Sequence, residues 1–161
     1  HLIGNTMHIS TVTLPEMKLA GLPLAGPFSV LEADLPDTWD TFLEREGELG
    51  EPKGMRYSLR LQEKDGVYLE CVATEVADLN SLPPGMIAIR IPERRYALLT
   101  HRGPMARVPA TYVTGNAAIE QLGMVPDEEA WRIERYDRRY TPTLDDGNRP
   151  DNAYDILIPL L

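Results

Sequence analysis

Residues 20–27 read AGLPLAGP, and residues 97–104, which lie 77 positions later, read ALLTHRGP. The two stretches agree at four of eight positions, where chance gives about one or none. The Gly-Pro pair alone proves little in a chain with 12 glycines and 14 prolines, so the order of elements around it matters more. A repeat at this spacing predicts one structural unit that occurs twice.

The same order of elements surrounds both stretches. Each stretch is an apolar strand that ends at Gly-Pro, followed by a loop and then by a helix that begins with a threonine and an aromatic residue: Thr38-Trp39 and Thr111-Tyr112. Both threonines can cap the first turn of a helix. Each helix ends near a glycine that a proline follows within three residues: Gly50 with Pro52, and Gly123 with Pro126.

Two strands close each unit. They span 55–62 and 67–76 in the first unit, and 130–139 and 154–161 in the second. Asp65-Gly66 is a strong hairpin signal between the first pair, and the polar segment 145–152 connects the second pair.

The two units are separated by a proline-rich link at 79–85, which a further strand at 86–91 follows. We therefore predict an α+β fold with two strand-helix-strand-strand modules, about 7–80 and 81–161, related by an approximate two-fold axis. Their antiparallel sheets are expected to meet along a cleft, where small molecules usually bind.

Composition narrows the classes of function. A hydrophobic content of 43% supports a folded core, and a formal net charge of -9 disfavours direct nucleic-acid binding, which needs clustered Lys and Arg. No apolar run approaches the roughly 20 residues of a membrane helix, and no signal segment is apparent. One cysteine, Cys71, suits a reducing compartment. We expect a soluble cytoplasmic protein, with residues 1–6 before Met7 as a cloning remnant.

Several segments together resemble one known family, the GyrI-like effector-binding domain, found in multidrug-responsive regulators of the MerR and AraC types and in stand-alone proteins. They occur in the family's order and span nearly the whole chain: Leu19–Phe28, Leu82–Met86, Ile91-Pro92, Tyr96–Pro104, Ile133–Asp137 and Tyr154–Leu160. The resemblance implies a tandem of two modules, in agreement with the repeat. It also implies binding of hydrophobic, often cationic compounds by a carboxylate that corresponds to Glu134 here.

The chain departs from the family pattern at three places. Glu70 stands where relatives tend to have an aromatic residue, Ala73 stands where they tend to have glycine, and the helix after Tyr112 lacks a tryptophan that many relatives carry. These departures bear on the shape of the pocket and the identity of the ligand. Glu70 has two interpretations: a second acid in the cleft that strengthens cation selection, or a solvated strand residue.

Strand alternation places Arg132, Glu134 and Tyr136 on one face and Trp131 on the other, where we expect it in the core. A carboxylate in a partly dry aromatic cleft loses hydration, and a lipophilic cation that pairs with it recovers part of that free energy. The alternative is a wet face on which Arg132 pairs with Glu134, which would favour a neutral ligand.

Aromatic side chains would complete such a site, because ring faces stack on planar molecules and attract positive charge. The candidates are Trp39, Tyr57, Tyr112 and Tyr136. Trp39 and Tyr112 hold equivalent places in the two predicted helices and fit either the cleft or the core. Tyr57 is selected because its strand mirrors that of Glu134.

Other chemistries find no support in the sequence. His1, His8 and His101 lack metal-ligand spacing, and no phosphate-binding loop or nucleophile elbow is present, so no metal or cofactor is expected. We expect a stand-alone binding domain for bulky lipophilic cations, alone, as a homodimer or beside a separate regulator. The resemblance leaves two alternatives: a hydrolase of strained cyclopropane toxins in which Glu134 orients or deprotonates water, and a gyrase-inhibitor-like protein-binding role.

Overall fold

The computed structural model describes residues 7–51 and 54–161. Within these residues, eight strands and two α-helices follow one another in this order: β1 Ser10–Leu14, β2 Met17–Pro27, α1 Phe28–Arg45, β3 Arg56–Lys64, β4 Val67–Glu75, β5 Ile87–Ile91, β6 Arg94–Arg102, α2 Val108–Gln121, β7 Arg132–Tyr136 and β8 Ala153–Pro159. The expected cloning remnant, residues 1–6, and the proline expected to end the first helix, Pro52, lie outside the described residues.

All eight strands form one antiparallel sheet in the order β1-β6-β8-β7-β3-β4-β2-β5. A pseudo-two-fold axis between β3 and β7 exchanges the two halves, so the predicted α+β fold with two strand-helix-strand-strand modules is confirmed. The module sheets are continuous, because Ser58 of β3 pairs with Glu134 of β7. One strand of each half also pairs with the sheet of the other half, since β1 pairs with β6 and β5 pairs with β2.

Chain connectivity forces the sheet to curl. β1 and β2 lie six strands apart in the order, about 29 Å in a flat sheet, yet only Pro15 and Glu16 separate them along the chain. Three residue steps reach at most about 11 Å. The connection from β5 to β6 through Pro92 and Glu93 imposes the same limit. The two ends of the sheet therefore approach each other, and the result is a half-barrel.

The curl divides the core into two layers. The inner face of the half-barrel is filled by aliphatic and aromatic side chains from both halves, among them Leu19, Tyr57, Leu59, Ile133 and Leu157. The opposite face, which we call the helix face, packs against α1 and α2. α1 lies over β2 and β4, and α2 lies over β6, so the central strands β3 and β7 lie between the two helices.

The helix starts differ from the sequence prediction. α1 begins directly after Pro27, ten residues before Thr38, and α2 begins at Val108, so the prediction that Thr38 and Thr111 cap these helices is wrong. Burial of Leu31, Trp39 and Phe42 against the sheet outweighs the hydrogen bond that Pro36 removes from inside α1.

Both threonines bond elsewhere. Thr38 donates to the carbonyl of Asp34, and the Thr111 hydroxyl lies 2.6 Å from Nδ1 of buried His101, which ties α2 to β6. Strand β1 was not predicted from the sequence.

Candidate functional site

The central strands β3 and β7 form the floor of a cleft between the two helices. Register pairs Ser58 with Glu134 and Arg60 with Arg132, and all four side chains lie on the helix face. The cleft has a volume of about 250 Å³. We call it the central cleft; its lining residues are Ser58, Arg60, Glu70, Tyr112, Arg132 and Glu134.

Glu134 is half-buried in this cleft, and three tyrosine hydroxyls donate hydrogen bonds to its carboxylate. Tyr112 of α2 reaches Oε2 at 2.6 Å, Tyr154 of β8 reaches the same oxygen at 3.2 Å, and Tyr136 of β7 reaches Oε1 at 3.0 Å. Within residues 7–51 and 54–161, no arginine or lysine forms an ion pair with this carboxylate. Among the described residues, the side chains that bond to the Glu134 carboxylate are therefore neutral hydroxyls, and none is a cation.

The three hydroxyls act as fixed donors. Burial raises the pKa of Tyr112, Tyr136 and Tyr154, and the negative charge of Glu134 raises each pKa further. These phenols stay protonated at any physiological pH, so their hydrogens remain available to the carboxylate. The arrangement replaces part of the water that Glu134 loses, and it orients both oxygens.

The tyrosine rings are themselves fixed by packing. The rings of Tyr136 and Tyr154 lie 4.6 Å apart at an angle of 31°, and Trp39 of α1 packs edge-on against Tyr136 at 5.4 Å. His101 lies 5.5 Å from Tyr154 on the other side. The aromatic layer beneath Glu134 thus extends from α1 to β6 and leaves little freedom to the hydroxyls.

A second acid enters the central cleft from β4. Glu70 is buried, and its carboxylate accepts a 2.9 Å hydrogen bond from Arg60. Burial raises the pKa of Glu70, although the Arg60 guanidinium opposes the shift. Arg60 also stacks over the ring of Tyr68, at 4.7 Å from its centroid. Glu70 and Arg60 form a neutral pair on one wall of the cleft.

Arg132 lies on the opposite wall of the central cleft, where it forms a weak ion pair. Its guanidinium lies 3.7 Å from the carboxylate of Glu128, whose side chain is 74% exposed. A pair so open to solvent adds little stability. Arg132 and Glu134 form no ion pair with each other, contrary to the alternative raised by their shared strand face.

The structure brings together four of the six side chains selected from the sequence. Glu134, Tyr112 and Glu70 line the central cleft, and Tyr136 lies at its base. Trp39 lies one layer deeper, behind Tyr136, and is buried. Tyr57 is not in the cleft.

Tyr57 points into the inner face of the half-barrel, where its hydroxyl donates to Glu75 at 2.9 Å. Register explains the difference, because Ser58 and not Tyr57 lies opposite Glu134. Three contributors were missed: Ser58, Arg60 and Tyr154. Alternation along β3 and β8 was the available signal for them, but it requires knowing which residue pairs with Glu134.

Over the described parts of the chain, no cluster of three or more His, Cys, Asp or Glu side chains could hold a metal ion. The same residues form no helix that is long and apolar enough to cross a membrane.

Comparison with solved structures identifies the fold. SAV2435 bound to tetraphenylphosphonium superimposes with a TM-score of 0.74 at 16% identity, covering 96% of this chain and 94% of the other. A hydrolase encoded by lin2189 from Listeria innocua superimposes with a TM-score of 0.56 at 11% identity, covering 97% and 93%. At these identities the likeness concerns the fold alone.

Comparison of sequences gives the family. The transcriptional regulator BrlR of Pseudomonas aeruginosa is 25% identical over 158 residues, which cover 96% of this chain and 56% of BrlR. The chain therefore spans about half the length of this curated relative. The model of the GyrI-like small molecule binding domain matches residues 7–161. The chain belongs to the GyrI-like family of small-molecule binding domains.

Proposed function

We propose that the protein binds lipophilic cations in the central cleft, with Glu134 as the counter-charge. One observation carries the proposal: the Glu134 carboxylate is held by three tyrosine hydroxyls on the part of the sheet between the helices, without an ion pair among the described residues. Hydroxyl donors replace the hydration of a carboxylate in a partly dry site, but they do not cancel its charge. A cation that enters the cleft supplies the positive charge that no described residue places against this carboxylate.

The cleft selects for cations by two effects that add. Pairing with a partly desolvated carboxylate is stronger than pairing in water, because the local dielectric constant is lower. The ring of Tyr112 beside the carboxylate adds about 0.5–2 kcal/mol of cation–π attraction. An anion of the same shape gains neither effect.

The size of the cleft sets how a ligand would sit. Its volume of about 250 Å³ lies just below the range of about 300–1,000 Å³ for sites that enclose drug-sized molecules. We therefore expect a bulky ligand to place its charged centre near Glu134 while its outer part stays in contact with solvent. SAV2435, which shares this fold, was solved bound to tetraphenylphosphonium, and this supports a bulky cation as the ligand class.

A thermal-shift measurement with tetraphenylphosphonium tests the proposal. At 100 times the dissociation constant, a ligand stabilises the folded state by about 2.7 kcal/mol, which raises Tm by several degrees. Glu134→Gln keeps the shape of the side chain and removes its charge, so we expect binding to weaken about tenfold to a hundredfold. At the same ligand concentration the stabilisation should then fall to about 1.4 to 0.4 kcal/mol, with a correspondingly smaller shift of Tm.

Glu120→Gln is the matched control, because Glu120 is exposed on α2. It should keep the full shift. An unchanged shift in Glu134→Gln would contradict the proposal.

Hydrolysis is a second candidate, favoured by the fold shared with the Listeria innocua hydrolase. Glu134 would then activate water through the part of its carboxylate that the three tyrosines leave free. We rank it second because those hydroxyls already occupy most of the acceptor capacity of the carboxylate. Product formed from a strained cyclopropane electrophile, and lost in Glu134→Gln, would support it. No feature of the described residues favours the gyrase-inhibitor-like role, and we do not propose it.

A further inference from the structure

The charges that line the central cleft balance. Two carboxylates, Glu70 and Glu134, face two guanidinium groups, Arg60 and Arg132. A site built only for cations would carry a net negative lining. The distribution of these four charges therefore bears on which cations the cleft accepts.

Two of the four charges satisfy each other. Arg60 bonds to Glu70 at 2.9 Å, and its position over Tyr68 fixes it further. The remaining two charges, Glu134 and Arg132, do not pair with each other. Glu134 is satisfied by tyrosine hydroxyls, and the one acid within ion-pair distance of Arg132, among the residues described, is exposed Glu128 at 3.7 Å.

Arg132 and Glu134 have a fixed spacing. They are two residues apart on the same face of β7, so their Cα atoms lie about 7 Å from each other. Glu134 is half-buried in the cleft beside Tyr112. Arg132, with Arg60, also borders the neighbouring surface groove, so these arginines stand at the mouth.

We propose that the natural ligand carries both signs of charge: a cationic, lipophilic head that contacts Glu134, and an anionic group several ångströms away that Arg132 binds at the mouth. This inference rests on the proposed function and deepens it. Arg132 exchanges its weak contact with a solvated glutamate for a carboxylate, sulfonate or phosphate of the ligand. The guanidinium suits this role because its planar fork binds such groups through two hydrogen bonds.

A pair of isosteric probes tests the inference. (4-Carboxybutyl)triphenylphosphonium is zwitterionic at pH 7.5, and its primary amide has the same size and phosphonium head but only the positive charge. We expect the wild-type protein to bind the acid about threefold to tenfold more tightly than the amide, measured by titration calorimetry. The gain is moderate because one-third of the Arg132 side chain is exposed.

Arg132→Gln should reduce the ratio of the two affinities to about one, while the affinity for the amide is kept or increased because a positive charge has been removed. Arg90→Gln is the matched control. Arg90 is exposed on the edge strand β5, three strands from β3, and pairs with Glu16. This variant should keep the wild-type ratio.

Each result decides a separate point. Equal affinity of the wild-type protein for the two probes, or tighter binding of the amide, would overturn the inference and leave cation binding intact, and this comparison needs no variant. Persistence of the preference for the acid in folded Arg132→Gln would overturn the assignment of Arg132. Failure of both probes and of tetraphenylphosphonium to bind would refute the proposed function itself.

Discussion

Hydrogen-bond donors surround the acids that are buried or half-buried at the centre of this protein. Glu134 has three tyrosine hydroxyls, Glu70 has Arg60, and Asp155 has Thr100, Arg135 and Arg139. Burial opposes ionisation of Asp155, but hydrogen bonds from the two arginines and the threonine hold its pKa below the ordinary value. Asp155 therefore stabilises the junction of β6, β7 and β8 in its charged form.

Asp155→Asn should lower the free energy of unfolding by about 2–4 kcal/mol at pH 7, because Arg135 and Arg139 lose their shared carboxylate. A depressed pKa gives stability that is present above the pKa of the unfolded chain and lost as pH falls through the folded-state pKa. The difference between wild type and variant should thus be constant from pH 7 to about 5 and shrink below about pH 4. Urea unfolding at each pH measures it; a difference that grows in acid would contradict this role.

Single residues show where sequence reasoning works and where it stops. The resemblance selects Glu134 and strand alternation adds Tyr136, and both lie at the central cleft. Tyr57 is misplaced by one position of register, which moves a strand side chain to the opposite face. Tyr154 and Arg60 enter the site from strands distant in sequence, and only knowledge of their pairing identifies them.

The lack of a side chain at Gly21 allows β2 and β4 to lie close together. In the middle of β2, a Cβ atom at this position would lie 1.9 Å from the carbonyl oxygen of Val72 and 2.6 Å from Cα of Ala73. Both obstacles are backbone atoms of β4, which cannot move without breaking the ladder. Gly21→Ala should cost at least about 3 kcal/mol, measured by urea unfolding.

Gly47→Ala is the control for this variant, because nothing lies within 4 Å of the added methyl group. Its effect should stay within about 0.5 kcal/mol. Equal stability of the two variants would show that β2 and β4 do not need this close contact.

Elements were predictable where local signals are strong. Asp65-Gly66 fixes the β3–β4 hairpin, and the repeated Gly-Pro fixes the ends of β2 and β6. The start of α1 was not predictable from the sequence, because Pro36 and the polar residues before Thr38 are typical of a loop. Burial of Leu31 against the sheet, a tertiary contact, makes this segment helical.

At the scale of the whole molecule, we expect strand exchange to make the two halves unfold as one cooperative unit. β1 completes the sheet of the second half, β5 completes that of the first, and β3 pairs with β7 across the pseudo-two-fold axis. Without the strand that the other half contributes, the sheet of each half would have an unpaired edge strand. The sequence indicated the repeat but not this exchange, since nothing local to β1 or β5 specifies a distant partner.

The two tryptophans test this cooperativity, because Trp39 belongs to the first half and Trp131 to the second. In Trp39→Phe and in Trp131→Phe, the remaining tryptophan reports on its own half. We expect its fluorescence transition in urea to coincide with the far-UV circular dichroism transition of the same variant. Separate midpoints within either variant would mean that the halves unfold independently.

The most direct test of the central claim compares two ions of the same shape and opposite charge. Tetraphenylphosphonium and tetraphenylborate differ in charge and hardly in size, so the ratio of their affinities, measured by titration calorimetry, isolates the electrostatics of the cleft. We predict that the wild-type protein prefers the cation by about a hundredfold and that Glu134→Gln reduces this preference below about tenfold. Equal affinity for the two ions, or a preference that survives in Glu134→Gln, would contradict the assignment of Glu134 as the counter-charge.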